Sequence, residues 1–360
     1  MEKKLFSIIE GFLPTGAIEH IAPLGIGNIN DSFLVEGEKK YVLQRINTDV
    51  FTDPVGVMRN IQLVCTHLED KIKAEGGNPL RESLQFLPSR TDGTLLHFAE
   101  DGTAWRMYRF VDDVETLQNA ASPDAAYRAA FTFGQFQSRL VDFDATKLVE
   151  TIPEFHNTAK RWEVFCKAVD EDKANRAIEV KDLIETAQRL SYLAPSLTKL
   201  AETGALPVRV THNDTKINNI LFDKRTGKGV CVIDLDTVMP ATALYDFGDM
   251  VRSGANTTDE EDTNLSRVSL DMAYYAAFLR GFLEGTGGQL TRTERENLAQ
   301  SALVITFELA IRFLGDYLNG DVYFSIRRPR HNVERAANQL RLVCDMERKY
   351  EEMQKMVDRI

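Results

Sequence analysis

Four cysteines in 360 residues, at 65, 166, 231 and 344, are too few and too scattered for a disulfide framework, and no two make a C-x-x-C pair. Their spacing fits reduced core thiols in a cytoplasmic protein better than bridges or a zinc site. Positive charge is in deficit as well: 43 Lys and Arg stand against 54 Asp and Glu, a net charge of −11. Such a surface repels phosphate polymers and anionic lipid, which argues against nucleic-acid and membrane partners and for a small one. No run approaches the roughly 18 apolar residues of a membrane span. The opening MEKKLFSIIEGFLP reads as a short amphipathic helix and not a signal peptide, because Glu10 breaks its apolar part and no small-residue cleavage site follows. Internal repeats and low-complexity tracts are missing too. What remains, 43% hydrophobic and 27% charged, is globular material long enough for two lobes with a core each.

Residues 208–249, VRVTHNDTKINNILFDKRTGKGVCVIDLDTVMPATALYDFGD, carry the densest chemistry. Asp214 and Asn219 stand five apart in a polar loop, a short apolar strand and a Gly227/Gly229 turn follow, and a second strand delivers Asp234 and Asp236. Phosphoryl transfer needs a group to orient the attacking hydroxyl and oxygen ligands for the magnesium that neutralises the phosphates. D-x-x-x-x-N followed by a strand-borne Asp supplies both. In that arrangement Asp214 takes or orients the hydroxyl proton, Lys216 touches the transferring phosphoryl group, Asn219 and Asp234 hold magnesium, and His212 fixes the loop. Asp246 heads an Asp-Phe-Gly triplet 32 residues after Asp214, at the start of a helical pattern. Asp234, 20 residues after Asp214, has the better spacing for the metal, so Asp246 is read as a buried brace.

The period of the chain becomes helical from Ser122-Pro123 onwards, so the fold class is α+β: an antiparallel sheet first, then a mainly helical part with short catalytic strands. Residues 1–108 are expected to form a nucleotide-binding lobe, 109–113 a hinge and 114–360 a lobe with catalytic loop and acceptor site. In the first lobe, the hairpin bearing Gly25, Gly27, Asn28 and Asn30 offers bare backbone to phosphate. Strands are expected at 41–46, 84–88, 95–98 and 104–111, and a Pro54-initiated helix over 53–68. Gln44 and Arg45 point to opposite faces of their strand, so only one can reach the phosphates, and charge favours Arg45. The helix offers no Glu to pair with it. Backbone around Arg109 to Val111 is placed to bond an adenine edge. Helices are expected over 125–140, 158–170, 177–200 and 301–320.

HNDTKINNILF, VIDLDTVMP and LYDFGD together resemble the aminoglycoside phosphotransferase and choline kinase superfamily, which has the two-lobed protein-kinase-like fold. GIGNINDSF, YVLQRIN, THNDTKINN and IDLDTVMP are most similar to bacterial N-acetylhexosamine 1-kinases. The resemblance implies ATP and Mg2+, an N-acetylhexosamine phosphorylated at its anomeric hydroxyl, Asp214 as catalytic aspartate, and Asn219 and Asp234 as metal ligands; the chain is expected to be a monomer. It also favours Arg312 as a sugar ligand beyond its salt bridge with Glu308, with Tyr323 or Phe324 against the sugar face and Thr237 on a ring hydroxyl. Kinases of choline, homoserine or aminoglycosides, and a non-catalytic nucleotide-binding module, are the alternatives.

Overall fold

The computed structural model describes residues 2–14, 16, 18–25 and 29–360. The chain divides into two compact units: Met1–Glu115, Asp142–Pro153 and Leu221–Pro240 make one, and Thr116–Val141, Glu154–Ile220 and Ala241–Ile360 the other.

The first unit is built on an antiparallel five-stranded sheet whose spatial order is Ile18–Pro23, Asp31–Gly37, Lys40–Arg45, Ala104–Arg109 and His97–Phe98. Strand alternation puts Leu43, Trp105 and Met107 on one face, where they bury with Leu5, Ile8, Ile9 and Phe12 from the amphipathic N-terminal segment. Burying each large apolar chain stabilises the unit by roughly 1.5–3 kcal/mol before ordering costs. The other face carries Val42, Gln44 and Arg106. Helix Pro54–Ala74 lies there; Asp53 caps it by accepting from the Gly56 amide, and Pro54 takes the first turn where no N–H is needed. Residues 84–88 do not form the expected strand: only Phe86 bridges to Tyr108, and the strand expected at 95–98 shrinks to His97–Phe98. Leu87 donates to the Met107 carbonyl and Gln85 accepts from the Arg109 amide, but after Pro88 the turn closed by Asp92 accepting from the Thr94 amide draws the chain away. A second sheet joins Val114–Glu115, Ile220–Asp223 and Gly229–Val232, with Gly227 in the left-handed region (φ 64°) at its turn.

The second unit is helical. Its centre is Leu298–Leu318, a helix long and apolar enough to cross a membrane by length and composition, of which 83% of the most apolar window is buried in the fold. It packs against Thr158–Glu171, Ala243–Gly254 and His331–Arg359. Pro123–Arg139 and Met272–Gly285 meet at glycines, close enough that a Cβ on Gly134 would stand 2.6 Å from the Phe282 carbonyl. The continuous helix expected over 177–200 is broken into Ala177–Val180, Lys181–Arg189, Ser191–Leu193 and Ala194–Glu202. Pro195 accounts for the last break, because it removes one helical donor and its ring clashes with the preceding turn.

Candidate active site

In the second unit, the loop after strand Arg209–Thr211 turns sharply at Asn213, whose φ of 64° is left-handed, a conformation that Asn tolerates better than most residues. Asp246, in the first turn of helix Ala243–Gly254 and 1% exposed, lies beneath the turn. Its carboxylate accepts from the amides of His212 at 3.1 Å and Asn213 at 2.8 Å and from the Gln137 side chain at 2.5 Å. Burial pushes the Asp246 carboxyl upward, against the opposing pull of His212 and these donors. Thr215 adds a hydroxyl bond to the Asp246 carbonyl at 2.6 Å.

Asp214 emerges from this turn with its side chain 30% exposed. Lys216 Nζ stands 3.1 Å from one carboxylate oxygen, and Asn219 donates to the other at 3.0 Å and to the Asp214 carbonyl at 2.9 Å. Desolvation raises the Asp214 pKa, but Lys216 and the buried Arg252 help turn the net shift downward, so the group is a carboxylate. Asp214 in turn raises the Lys216 pKa. Arg252, 3% exposed, is itself held by Asp249 at 2.8 Å and Glu260 at 3.1 Å. With its amide nitrogen spent on Asp214, Asn219 keeps an oxygen for a hard cation, the donor type magnesium takes. Among the described residues no three His, Cys, Asp or Glu side chains converge as a metal cage. Magnesium sites commonly draw only one or two protein oxygens, the rest coming from water and phosphate.

Behind the same loop lies a chain of charged groups on the central helix. Glu308, 2% exposed at its side chain, receives His156 Nδ1 at 2.8 Å and the Thr158 hydroxyl at 2.7 Å. Its distance to Arg312 is 3.9 Å, so His156 and not Arg312 is its principal partner. Burial alone raises the Glu308 pKa; His156, Arg312 and Thr158 reverse that and hold it below the ordinary range. Arg312 sits among the rings of Phe155, Phe324 and Tyr323, 5.2, 5.6 and 5.8 Å from their centroids, with Tyr323 OH 3.4 Å from Nη2. The ring-bearing segment is pinned by Asp316, which accepts the amides of Val322, Tyr323 and Phe324 at 2.8–3.0 Å. Arg161 donates twice to the Phe155 carbonyl, and burial followed by the Arg312 charge lowers its pKa.

In the first unit, Asp234 adopts the left-handed region (φ 60°, ψ 57°) ahead of the short helix Leu235–Thr237. Asp236, 2% exposed, is clamped by Arg106 through both nitrogens, one pair at 3.0 Å, and by Asn30 at 2.6 Å. Burial opposes the Arg106 charge, yet Asp236 outweighs it and raises the guanidinium pKa. Gln44 lies beside Arg106 in the sheet; its carbonyl accepts from Arg106 Nε at 3.0 Å and its amide donates to Ser32 at 2.9 Å. Arg45 points to the opposite face, exposed and 3.4 Å from Asp31. Helix Pro54–Ala74 contributes Asn60 instead of an acid, and its amide pins the carbonyls of Val149 at 2.7 Å and Val238 at 2.9 Å. Thr237 is buried on the turn after Asp234.

Asn30 is committed at both ends, to Asp236 and to the Asn47 amide at 3.0 Å, and serves the fold. Gly25 is left-handed at φ 70°, while Gly27 and Asn28 lie outside the described residues. The amides of Arg109 and Phe110 bond Gln85 and Lys40 carbonyls, and Val111 is buried. Sequence reasoning did not pick out Arg106, His156 and Arg252. The partners of Arg106 and His156 come from distant segments, whereas Arg252 pairs locally with Asp249 and Glu260; Arg106 left a trace as a charge in an otherwise apolar strand.

A profile of the phosphotransferase enzyme family matches residues 20–292. Among solved structures, the chain resembles an aminoglycoside phosphotransferase from Alicyclobacillus acidocaldarius at 13% identity and TM-score 0.63, over 98% of this chain and 96% of that one. It also resembles a microcompartment-associated aminopropanol kinase (14% identity, TM-score 0.58, 98% and 99% covered). A spectinomycin phosphotransferase in complex with ADP and spectinomycin matches at 12% identity and TM-score 0.52, with 96% and 98% covered. At such identities the likeness is one of fold, a kinase-like architecture with an antiparallel sheet in the N-terminal region and a helical C-terminal part.

Proposed function

Because the chain belongs to the phosphotransferase enzyme family, we propose that it uses ATP and magnesium to phosphorylate the anomeric hydroxyl of an N-acetylhexosamine, GlcNAc or GalNAc, giving the 1-phosphate. The observation that carries this acceptor class is the composition around Arg312. The rings of Phe155, Tyr323 and Phe324 surround Arg312, a second guanidinium, Arg161, interacts with it and with Glu154, and the Glu308 carboxylate is already engaged by His156 and Thr158. A choline, amino-alcohol or aminoglycoside cation needs unspent carboxylate or aromatic cage faces without competing charge. A neutral sugar instead takes hydrogen bonds from a planar fork and packs its apolar face on a ring.

In this reading Asp214 receives the proton of the attacking hydroxyl; its lowered pKa keeps it ionised, and hydrogen-bond reach matters more than basicity. Lys216 neutralises Asp214 before substrate arrives and can follow the phosphoryl oxygens. Asn219 and Asp234 are assigned as oxygen ligands of magnesium. When bound, the ion neutralises the nucleotide phosphates and aligns them for in-line transfer. The Gly25 turn and the backbone near Val111 are assigned to the nucleotide. Arg106 is spent on Asp236, so phosphate contact by Gln44 or Arg45 stays part of the proposal. Thr237, Arg312 and Tyr323 are assigned to the sugar. Support for a nucleotide donor comes from the ADP complex among the similar folds.

The test is a coupled kinase assay with ATP and magnesium across GlcNAc, GalNAc, unmodified hexoses, choline, ethanolamine, aminopropanol, homoserine and an aminoglycoside. Turnover on the N-acetylhexosamines at least about tenfold above the others in kcat/KM is expected. Preference for a cationic acceptor overturns the sugar reading.

A further inference from the structure

Both ring nitrogens of His156 face oxygen. Nδ1 is 2.8 Å from the Glu308 carboxylate and Nε2 is 3.2 Å from the Asn213 carbonyl, in a side chain only 8% exposed. A neutral imidazole has one N–H and one lone pair, so one of the two contacts would set lone pair against lone pair. A ring with N–H at both nitrogens satisfies both, and Glu308 supplies the countercharge. The carbonyl it holds belongs to the peptide that carries Asp214. The N–H end of that same peptide donates to His212 Nδ1 at 3.2 Å, and the preceding amide, that of Asn213, is held by Asp246 at 2.8 Å. The left-handed residue just before Asp214 is therefore gripped on every polar atom of its backbone.

We propose that His156 is a positioning residue that acts as an imidazolium, bridging Glu308 to the Asn213 carbonyl and so fixing the peptide plane from which Asp214 projects. This rests on the reading of Asp214 as the group that receives the acceptor proton. The same bridge ties the catalytic loop to Arg312 on the helix of Glu308, so acceptor binding at Arg312 and the aim of Asp214 share one carboxylate. The groups facing His156 are Glu308 and, beyond it, Arg312 from helix Leu298–Leu318, the ring of Tyr245 from helix Ala243–Gly254 at 5.0 Å, the adjoining Phe155 ring at 4.5 Å, and Arg161, whose charge interacts with Glu308. Two arginines oppose the extra positive charge. Glu308 is the charged group in direct contact, at 2.8 Å.

The experiment is 15N NMR of the full chain labelled at histidine, with His156→Gln used to assign the ring, joined to steady-state kinetics of His156→Gln and Glu308→Gln. At pH 7 without substrate, both His156 nitrogens should show protonated shifts, and in Glu308→Gln one should lose its proton. His156→Gln offers one donor nitrogen and one acceptor oxygen in place of two donor nitrogens, and in its folded fraction it should lower kcat by about 10- to 100-fold with acceptor KM changed little. A wild-type ring with one bare nitrogen at pH 7 overturns the proposal, as does a variant with unchanged kcat. Should His156→Gln not fold, assignment and kinetics pass to Glu308→Gln and His156→Asn, with the same criteria. Inactivity of the wild type on every acceptor would overturn the functional reading alone, since the NMR result needs no turnover.

Discussion

Asp246 accepts the Asn213 amide at 2.8 Å, one residue before Asp214. A carboxylate 33 positions away in sequence thus holds open a left-handed turn that the local chain does not favour. The Asp-Phe-Gly triplet that begins at Asp246 supplies a brace beneath the loop, and the assignment of magnesium to Asp234 can be tested against it.

Asp246→Ala leaves the amides of His212 and Asn213 and the Gln137 side chain without their acceptor, at a cost of about 1–3 kcal/mol for each buried group left unsatisfied. Its melting temperature should fall clearly. Asp234→Asn, which removes the charge and tolerates the left-handed backbone, should melt near the wild type yet need far more magnesium or lose turnover. Melting curves paired with magnesium titrations decide it, and the reverse pattern exchanges the two roles.

Asp214→Asn keeps the shape of the side chain and its contact with Asn219 but cannot take a proton. A loss of about 100-fold or more in kcat is expected, with nucleotide affinity and melting temperature preserved. Retention of more than about a tenth of wild-type kcat removes Asp214 from the proton-transfer step.

Arg106 and Asp236 are 2% and 3% exposed at their side chains, so either charge alone in that setting is poorly solvated. Arg106→Met should cost about 3–5 kcal/mol, and adding Asp236→Asn should recover part of it. Denaturant unfolding of both single variants and the double variant gives the coupling. Additive losses would mean that the pair is not a unit.

Arg312→Lys retains charge and loses the planar fork. With Arg312 on the acceptor, acceptor KM should rise or kcat fall by about tenfold or more while nucleotide KM and melting temperature hold. Earlier melting with unchanged acceptor kinetics would return Arg312 to the core beside Phe155 and Phe324.

Asp223 offers a pH test at the turn between the two short strands. The Thr226 amide and hydroxyl, then Arg81 at 2.6 Å, lower its pKa to about 2. A carboxyl depressed on folding contributes stability above its unfolded pKa, and that contribution is lost as pH falls through the folded value. The melting-temperature gap between wild type and Asp223→Asn should be full above about pH 4 and close toward pH 2. A gap independent of pH would show that the carboxylate charge plays no part.

The amino-acid sequence by itself determined the class of the fold and most of its helices and strands. The short apolar runs at 41–46 and 104–111, period 3.6 after residue 122, the Asp53-Pro54 start and the Asp-Gly turns are all local signals, and each depends on neighbours within a few residues. The strand expected at 84–88 is cut to a single bridge where the chain turns away after Pro88, and the unbroken helix expected over 177–200 is interrupted three times, the last time at Pro195. Only the tertiary structure decided the partners. Residues 142–153 and 221–240 group with the sheet, which no composition shift announces. Gln44 faces Arg106, and the acid that pairs with Arg106 comes from the turn after Asp234 and not from the helix, 130 residues away in sequence. Glu308 meets His156 across 152 residues and leaves Arg312 second. Hydrogen bonds and ion pairs act over about 3–4 Å whatever the sequence separation, so no local pattern records them, and the chain must fold before they exist.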